Sequence, residues 1–395
     1  MLLLRHFAQL LCSSCETPMS KPVIFCVIGT RPEAIKVAPV MLEFLKFSEV
    51  CTPMLISTGQ HKEILYQSLA TFGLKPNEDL EIMQHGSSLA QVTCRALDGL
   101  DNLVQKYQPA YILGQGDTTT TLVAAMDAFY RNVPFGHIEA GLRTDTVRNP
   151  FPEEYNRRVA SVTADLHFPP TTWSRDNLLH EHHDPSKIFV TGNTGIDAVV
   201  LAANQGEQPW FPEHTGRVVL MTTHRRENWG EPQKNIATAA LALVNKFPDV
   251  LLVTAMHPNP TVRETLIPIL GNHDRIKLIE PPEYELFVKL MQRSTLILSD
   301  SGGVQEEAPA FGIPVLVLRD TTERPEGVTA GTAKLVGTNT DRIIEEGTTL
   351  LGDPAAYKAM ANAVSPYGDG KASERIRYLV LKSLGIETPE VPMWN

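Results

Sequence analysis

Short apolar runs that end in polar, glycine-containing loops recur along this chain of 395 residues. The clearest example lies in Leu296–Pro325, where an apolar run leads into Ser-Asp-Ser-Gly-Gly, a helix-compatible segment follows, and a second apolar run occupies Val315–Leu318. This order of strand, glycine turn, helix and strand is typical of a βαβ unit. In open parallel sheets, ligands bind outside the carboxyl ends of the strands. The polar loops therefore predict where a ligand binds.

The glycine turn of this stretch suits an anionic ligand. Gly302 and Gly303 let the backbone approach a ligand closely, and the amides of the following helix would point at it. A diphosphate is the simplest candidate, and Glu306 or Glu307 could accept hydrogen bonds from sugar hydroxyls. The alternative is a tight turn followed by two glutamates that stabilise the helix dipole. This stretch alone leaves both interpretations open.

Composition narrows the class of protein. With 43% hydrophobic and 20% charged residues, the chain has the composition of a soluble globular protein and the length for two domains. A net charge of −10 argues against a general nucleic-acid or membrane-surface binder. The five scattered cysteines predict a reducing compartment and no disulfide framework, and no segment after residue 20 approaches the roughly 20 apolar residues of a membrane span. We therefore expect a cytoplasmic protein.

Residues 1–20 need a separate interpretation. They faintly resemble a secretory leader, but their apolar core is interrupted and no convincing small-residue cleavage site follows. Met19 comes just before the first predicted strand and would be a sensible start. We interpret residues 1–20 as a disordered extension or an artefact of an upstream start site.

The chain contains two similar series of strand–helix units. The first begins at the apolar run Val23–Ile28 and the second at Val218–Met221, and the periodicity fails between them at about residues 201–215. Both series keep their polar loops at strand carboxyl ends, which predicts two α/β domains facing a cleft. The predicted units are an N-terminal domain at 21–203, a linker at 204–216, a C-terminal domain at 217–370 and a final helical segment at 371–395.

Three carboxylates follow strands or open a helix in the first half. Asp117 lies in GQGDTTTT, Glu139 in HIEAGLRT and Glu153 in NPFPEEYNR. Carboxylates brought together at one sheet edge raise each other's pKa values and can serve as acid and base. Each alone is better explained as a helix cap or a dipole-stabilising residue. Together, beside Arg143, they favour chemistry.

Basic residues follow strands in the second half. His224, Arg225 and Arg226 suit phosphate binding or protonation of a leaving group, although a solvated basic loop is the alternative. Arg324 has the same two interpretations, and His257 either caps a helix or contacts a ligand. No histidine–cysteine–carboxylate spacing indicates a metal, and no G-x-G-x-x-G follows the first strand. We expect neither a metal nor a cofactor.

Taken together, the motifs resemble those of the non-hydrolysing UDP-N-acetylglucosamine 2-epimerases of bacteria. The match extends from Lys21 to the final helix and includes, in order, GTRPEAIK, GDTTTT, HIEAGLRT, PEEYNR, VTGNT, HRREN, DSGGVQEEAP, RDTTERPEG and SPYGDGKASERI. The resemblance implies two Rossmann-like domains arranged as in GT-B glycosyltransferases, with the active site in the interdomain cleft. It also implies a last helix that packs back on the first domain, and a homodimer.

The resemblance also assigns roles to individual positions. The implied catalytic residues are Asp117, Glu139, Glu153 and His224. The implied contacts with the substrate or with UDP are Arg31, Lys36, Phe287, Ser301, Gly302, Gly303, Glu307 and Arg324. Some members bind a second UDP-N-acetylglucosamine as an activator, and the positions that resemble that site are Gln60, Arg225 and His257. Glu63 stands where some activated members have glutamine.

The implied reaction is reversible epimerisation at carbon 2 of UDP-N-acetylglucosamine, which supplies N-acetylmannosamine-type sugars for cell-surface polysaccharide. UDP leaves first, the proton on carbon 2 is then removed to give 2-acetamidoglucal, and UDP adds back after protonation on the other face. The alternatives are a hydrolysing epimerase that releases UDP and N-acetylmannosamine, and a GT-B glycosyltransferase with an acceptor site in the first half. A nucleotide-sugar sensor without turnover is a third alternative, which would have lost a catalytic carboxylate.

Overall fold

The computed structural model of the chain describes residues 21–59, 62–84 and 86–394. The interpretation of residues 1–20 and the assignment of Gln60 lie outside these described residues. In the part of the chain that is described, no helix is both long enough and apolar enough to cross a membrane.

The N-terminal half forms a parallel sheet of six strands in the order β3-β2-β1-β4-β5-β6. The strands are β1 (Val23–Ile28), β2 (Thr52–Ser57), β3 (Glu78–Asp79), β4 (Tyr111–Gln115), β5 (Phe135–Ile138) and β6 (Leu166–Phe168). The helices are α1 (Arg31–Leu45), α2 (Lys62–Ala70), α3 (Leu89–Tyr107), α4 (Thr119–Arg131), α5 (Glu153–Thr163), α6 (Thr172–His180) and α7 (Thr194–Ala203). The strand order reverses between β1 and β4, which is where open sheets of this type bind ligands.

The C-terminal half repeats this plan with six parallel strands in the order β12-β11-β10-β7-β8-β9. The strands are β7 (Val218–Thr222), β8 (Leu251–Ala255), β9 (Ile276–Ile279), β10 (Leu296–Ser299), β11 (Val315–Val317) and β12 (Ala333–Leu335). The helices are α8 (Glu231–Lys246), α9 (Pro260–Leu270), α10 (Tyr284–Arg293), α11 (Gly302–Glu307), α12 (Pro325–Ala330), α13 (Thr340–Gly352), α14 (Pro354–Ala361) and α15 (Ala372–Ser383). The prediction of two Rossmann-like parallel α/β domains is confirmed.

The central strands explain why the sheets are parallel. Every residue from Ile24 to Ile28 in β1 is fully buried, as are Ile297 and Leu298 in β10. A strand covered by helices on both faces must be apolar throughout, and such strands are joined by crossover helices. The continuous apolar runs seen in the sequence are therefore these buried inner strands.

The last helix returns to the first domain, as predicted. Ile376 and Val380 of α15 are fully buried in the same core as Val40 of α1 and Ala198 of α7. Asp197 accepts hydrogen bonds from the first amides of α15, including that of Ser373 at 2.7 Å. Burial raises the pKa of Asp197 to about 6, against the lowering effect of these hydrogen bonds. Helix α15 thus fastens the end of the chain to the N-terminal domain.

The peripheral strands were predicted less well. The apolar run Ile188–Val190 predicts a further strand. In the structure it has a single bridge, from Ile188 to His167, and two backbone hydrogen bonds, from the amide of Phe189 to His167 and from that of Thr191 to Pro169. The segment follows a 3₁₀ turn and runs directly into Gly192 at φ +88°, which leaves no room for a longer ladder. Strands β3 and β12 were not predicted because they are edge strands of two and three residues without an apolar run.

Candidate active site

The carboxyl ends of both sheets open onto one cleft between the domains. Hydrogen bonds cross this cleft, from Asn193 Nδ2 to Glu306 Oε2 at 3.0 Å and from Thr171 Oγ1 to Glu326 Oε1 at 3.1 Å. The polar loops after β1, β4 and β5 thus face those after β7, β10 and β11. This arrangement confirms the cleft predicted from the sequence.

Glu139 lies directly after β5 and is held by two donors. Lys36 Nζ of α1 is 2.6 Å from Glu139 Oε1, and the amide of Gln115 donates to the other carboxylate oxygen. Burial alone would lower the pKa of Lys36, but Glu139 and Glu306 together raise it, so the lysine is a cation. Glu139 has a φ of +62°, a left-handed conformation that is uncommon for a residue with a side chain.

The backbone around Glu139 leaves little freedom. Gly141, two residues later, has a φ of +87°, and a Cβ there would lie 2.1 Å from the carbonyl oxygen of Ser174. Only glycine fits this turn, because it tolerates the positive φ and has no side chain to clash with helix α6. The HIEAG motif is therefore a tight turn that aims the Glu139 carboxylate at the cleft.

Asp117 follows β4 and pairs with an arginine that the sequence analysis missed. Arg157 Nη2 of α5 lies 3.1 Å from Asp117 Oδ2, and the same guanidinium pairs with the fully buried Glu154. Burial raises the pKa of Asp117, Arg157 opposes that shift, and the negative charge of Glu153 adds to it. Asp117 is therefore a carboxyl group with a pKa above the ordinary value of an aspartate, and Arg157 limits the rise.

The three predicted carboxylates do lie at one sheet edge. Glu153 is the first residue of α5 and acts electrostatically on Asp117. A Cβ on Gly116, just before Asp117, would lie 3.8 Å from Glu139 Oε2, which places Glu139 beside the Asp117 turn. A group of three carboxylates with two cations, Lys36 and Arg157, is suited to proton transfer.

His224 faces these carboxylates from the end of β7 and is fixed by Asp300. Its Nδ1 is 3.0 Å from Oδ1 of Asp300, a fully buried residue that follows β10. Asp300 also accepts hydrogen bonds from the amides of His224 and Arg225 and from the side chains of Thr223 and Asn228. Burial would raise the pKa of Asp300, but the bonds and charge of His224 and the amide of Arg225 hold it below its usual range. Because Nδ1 is bonded, Nε2 is the nitrogen left to exchange a proton with a ligand.

Arg324 lies on the same side of the cleft as His224. Its guanidinium donates to Glu306 and lies over the glycine turn, 3.8 Å from the position that a Cβ on Gly302 would take. Burial would raise the pKa of Glu306, but Arg324 and Lys36 hold it down, so the pair is ionic. By contrast, burial and the charge of Glu306 raise the pKa of the adjacent Glu307 to about 8.

The remaining predicted contacts occupy the glycine turn and the mouth of the cleft. Ser301 is the N-cap residue of α11, and a Cβ on Gly303 would lie 3.8 Å from Glu307 Oε1. Arg31, exposed at the start of α1, lines a cavity of about 200 Å³ with Tyr284 and the loop before it. Phe287 lies one turn after Tyr284 in α10 and is half-buried. Arg31 also acts on Glu307, since its positive charge opposes the rise in the pKa of that carboxyl group.

Two of the three residues matched to an activator site are also near the cleft. The rings of His224 and His257 stack with their centroids 6.1 Å apart. The backbone amide of Arg225 is held by Asp300, and its Nε is buried without a hydrogen-bond partner. His257 is not the N-cap residue of α9, because Asn259 holds that position.

Four partners of the predicted residues were missed: Gln115, Arg157, Asn193 and Asp300. Arg157 could have been found from its spacing, since it lies four residues after Glu153 on the same helix. Asp300 follows a predicted strand directly, and the same rule that selected Asp117 applies to it. The pairing of Asn193 with Glu306 across the domains has no local sequence signal.

Comparison with known proteins agrees with this geometry. The family model described as UDP-N-acetylglucosamine 2-epimerase matches residues 45–381. The UDP-N-acetylglucosamine 2-epimerase of Bacillus subtilis is 48% identical over 91% of this chain and 94% of its own length. The range matched by the family model includes Asp117, Glu139, Glu153 and His224, and it begins after β1.

Solved structures give the same result. A crystal structure of a UDP-N-acetylglucosamine 2-epimerase superposes with a TM-score of 0.88 at 44% identity, covering 95% of this chain and 100% of that one. The structure of the enzyme from Neisseria meningitidis bound to UDP-N-acetylglucosamine has a TM-score of 0.80 and 47% identity, covering 91% of this chain and 100% of that one. Both domains and their mutual arrangement are therefore shared with these proteins.

Proposed function

We propose that this chain, which belongs to the UDP-N-acetylglucosamine 2-epimerase family, interconverts UDP-N-acetylglucosamine and UDP-N-acetylmannosamine without net hydrolysis. The observation that carries the proposal is the cleft itself. Three carboxylates of one domain face a histidine and an arginine of the other, each of which is held by a buried carboxylate. A relative whose structure is bound to UDP-N-acetylglucosamine, and which is similar over 91% of this chain, supports the choice of ligand.

The chemistry requires two steps that neither domain can perform alone. The acetamido group on carbon 2 rules out a transient oxidation there, and the proton on carbon 2 is barely acidic in the substrate. Expulsion of UDP gives an oxocarbenium-like sugar, in which that proton is far easier to remove. Loss of the proton gives 2-acetamidoglucal, and protonation on the other face followed by addition of UDP gives the epimer.

The C-terminal side of the cleft is suited to the departure and return of UDP. Glu306 fixes the guanidinium of Arg324 over the glycine turn. At that position the guanidinium can bind a diphosphate. Asp300 fixes the ring of His224 through Nδ1, so Nε2 is free to donate a proton to the leaving phosphate oxygen. Glu307 is placed to accept hydrogen bonds from ribose hydroxyls.

The N-terminal side is suited to moving the proton on carbon 2. Epimerisation through a planar intermediate needs one group that removes the proton from one face and another that supplies a proton to the opposite face. Asp117 and Glu139 lie on neighbouring strands with different partners, Arg157 and Lys36, so their proton affinities can differ. Glu153 is the third member and raises the pKa of Asp117 through its charge.

Closure of the two domains would keep water from the intermediate. The bonds of Asn193 to Glu306 and of Thr171 to Glu326 hold the domains together across the site. A closed cleft protects an oxocarbenium-like sugar from hydrolysis and strengthens the electrostatic interactions inside. This contact between the domains supports the non-hydrolysing reaction over the hydrolysing one.

The proposal extends to assembly and regulation. Large apolar side chains on α4 and α5 are mostly exposed, with Phe129 and Tyr130 at 65% and Val162 at 77%, and we assign this surface to a homodimer contact. A second nucleotide sugar acting as an activator would use Arg225 and His257. We also propose the domain bounds 21–203 and 217–370, a cytoplasmic enzyme, and a product used for cell-surface polysaccharide.

Product analysis tests the function. Purified protein is incubated with UDP-N-acetylglucosamine, and the nucleotide sugars and free sugars are separated by liquid chromatography with mass detection. The proposal predicts UDP-N-acetylmannosamine at an equilibrium that is reached from either sugar nucleotide. Stoichiometric UDP and free N-acetylmannosamine would instead assign the hydrolysing reaction, and no new product would contradict both.

A further inference from the structure

One buried carboxylate at the edge of the cleft has no part in the proposed chemistry. Glu33 in the first turn of α1 is 1% exposed. Its Oε2 accepts hydrogen bonds from the amide of Gly29 at 3.0 Å and from the amide and hydroxyl of Thr30 at 2.7 and 2.8 Å. Its Oε1 accepts from the hydroxyls of Thr118 at 2.5 Å and Thr121 at 3.3 Å.

These bonds join two loops that the proposed reaction uses. Gly29 and Thr30 directly precede Arg31, and Thr118 directly follows Asp117. The loops come from β1 and β4, the neighbouring strands at which the order of the sheet reverses. Glu33 is thus the side chain that connects the start of α1 to the turn that carries a proposed catalytic carboxylate.

The environment of Glu33 is unusual for a carboxylate. None of the ion pairs in the described residues involves it, so hydroxyls and amides alone solvate it. Burial raises its pKa, and the bonds from Thr118, Thr30 and Gly29 oppose that rise. The bonds within the α1 loop are those of a capping box, in which Glu33 accepts from the amide of the N-cap residue Thr30. A capping box does not need the further bonds from Thr118 and Thr121, and these two bonds join the α1 loop to the β4 turn.

A second observation shows that the junction is rigid. A Cβ on Gly29 would lie 2.1 Å from Thr120 Oγ1 and 2.4 Å from Thr58 Oγ1. These two threonine hydroxyls are themselves bonded at 2.9 Å and buried. The loops after β1, β2 and β4 therefore meet without a gap, and a shift of one of them would be passed to the others.

We propose that Glu33 is a positioning residue for the epimerisation, one that fixes the Asp117 carboxylate relative to the α1 loop and hence to the substrate. The inference rests on the proposed function, since it assigns no chemistry of its own to Glu33. It predicts that removing these bonds lowers kcat even though Glu33 does not contact the substrate. A misplacement of about 1 Å can reduce a rate by about 100-fold.

Four variants separate geometry from charge. Glu33→Ala removes every bond, whereas Glu33→Gln can keep them, because its oxygen can accept from the backbone amides and its amide can donate to the two threonine hydroxyls. Thr118→Val removes the bond of Thr118 to Glu33 and the N-cap bond from the amide of Thr121, whereas Thr118→Ser keeps both. Since Thr118 is also the N-cap of α4, Ser88→Ala serves as a matched control that removes the N-cap of α3 on an exposed surface.

Two measurements are made on each variant. The first is functional and consists of kcat for UDP-N-acetylglucosamine and the Kd of UDP by calorimetry. The second is structural and consists of amide hydrogen exchange of the peptides that contain residues 29–34 and 115–121. We expect kcat to fall by about 100-fold in Glu33→Ala and about tenfold in Thr118→Val, with faster exchange in both peptides. Glu33→Gln and Thr118→Ser should stay within about threefold of wild type, and Ser88→Ala should change neither kcat nor exchange at the cleft. In Thr118→Val the Kd of UDP should be unchanged.

The proposal is overturned if Glu33→Ala or Thr118→Val keeps the kcat of the wild type and its slow exchange at residues 115–121. It is also overturned if Glu33→Gln is as inactive as Glu33→Ala, because charge rather than geometry would then be the cause. Should Glu33→Ala not fold, the comparison of Thr118→Val with Thr118→Ser decides. If the wild type does not epimerise, the proposed function fails, while the exchange data still test whether Glu33 fixes the Asp117 turn.

Discussion

The two walls of the cleft are built from the same kinds of ion pair but use them in opposite ways. On the N-terminal wall, the acids Asp117 and Glu139 point at the cleft and cations support them from behind. On the C-terminal wall, His224 and Arg324 face the cleft, and the buried acids Asp300 and Glu306 support them.

The two walls differ in how firmly their aspartates, Asp300 and Asp117, are held in the ionised state. Asp300 is fully buried, its pKa is held down despite burial, and five groups donate to it or pair with it. The Asp117 side chain is 29% exposed, its pKa is raised, and a single arginine pairs with its carboxylate. Asp300 is thus a fixed negative charge, and Asp117 is an acid with a raised pKa. We therefore assign the binding and departure of UDP to the C-terminal wall and the exchange of the proton on carbon 2 to the N-terminal wall.

The largest expected effect comes from removing a proton-exchanging group. Asp117→Asn keeps the shape of the side chain but cannot ionise, so kcat should fall by about 10²–10⁴-fold. The Kd of UDP, measured by calorimetry, should change little because the C-terminal wall is intact. Asp184→Asn, at an exposed carboxylate that caps a turn of the same domain, is the matched control and should keep wild-type activity. Wild-type turnover in folded Asp117→Asn would contradict the division between the walls.

The next effect tests the fixed charge behind His224. Asp300→Asn leaves buried donors facing an amide nitrogen, which should cost about 1–3 kcal/mol in the free energy of unfolding. His224 also loses the carboxylate that orients its ring, so kcat/KM should fall by about tenfold or more. Denaturant titration and steady-state kinetics measure the two changes. Asp353→Asn, at an exposed helix cap in the same domain, should show neither. An unchanged kcat/KM would separate Asp300 from the role of His224.

A smaller effect is expected at the contact between the walls. Glu306→Gln keeps an acceptor for Asn193 but removes the charge that fixes Arg324, so UDP should bind about tenfold more weakly with a smaller change in kcat. Asn193→Ser retains an N-cap oxygen for α7 and loses the reach to Glu306, and it should weaken binding less. If kcat falls in Glu306→Gln while the Kd of UDP stays the same, then Glu306 belongs functionally to the proton-exchanging wall.

The last prediction concerns the free energy of unfolding and not the activity. It rests on Glu307, the uncharged carboxyl group of the C-terminal wall. Its pKa is raised to about 8, so between pH 4.5 and 8 the folded protein keeps a proton that the unfolded chain releases. The free energy of unfolding should therefore fall by at most about 1.4 kcal/mol per pH unit in that window relative to Glu307→Gln, and the difference should level off above pH 8. Urea titrations of both proteins from pH 5 to 9 measure it. Parallel stability curves would show that Glu307 is ionised in the folded state.

The sequence predicts the inner parts of this molecule better than its edges. Buried strands such as β1 and β10 are continuous apolar runs, because helices cover both of their faces. Edge strands such as β3 do not need to be apolar throughout. Glu78 and Asp79 are half-exposed, and β3 pairs with a neighbouring strand on one side only. The predicted strand at Ile188–Val190 lies at such an edge too. It pairs with the end of β6 through one bridge and the amides of Phe189 and Thr191, which is less than a full strand.

The candidate site shows a similar limit. Asp117, Glu139 and His224 were identified because each follows an apolar run, and the parallel fold brings strand ends together. Their partners come from helices and from the other domain, and a rule based on strand ends does not include them. Arg157 reaches Asp117 from α5, and Asn193 reaches Glu306 across the cleft. These pairings depend on tertiary packing that no local pattern encodes.

The most direct test of the division between the walls is proton NMR of the protein with UDP-N-acetylglucosamine in deuterated water. The account predicts a new anomeric signal from UDP-N-acetylmannosamine, with deuterium replacing the proton on carbon 2 in both sugars. That result requires UDP to be retained by one wall while the other exchanges the proton. Release of free UDP and N-acetylmannosamine, or an epimer that keeps its original proton on carbon 2, would contradict it.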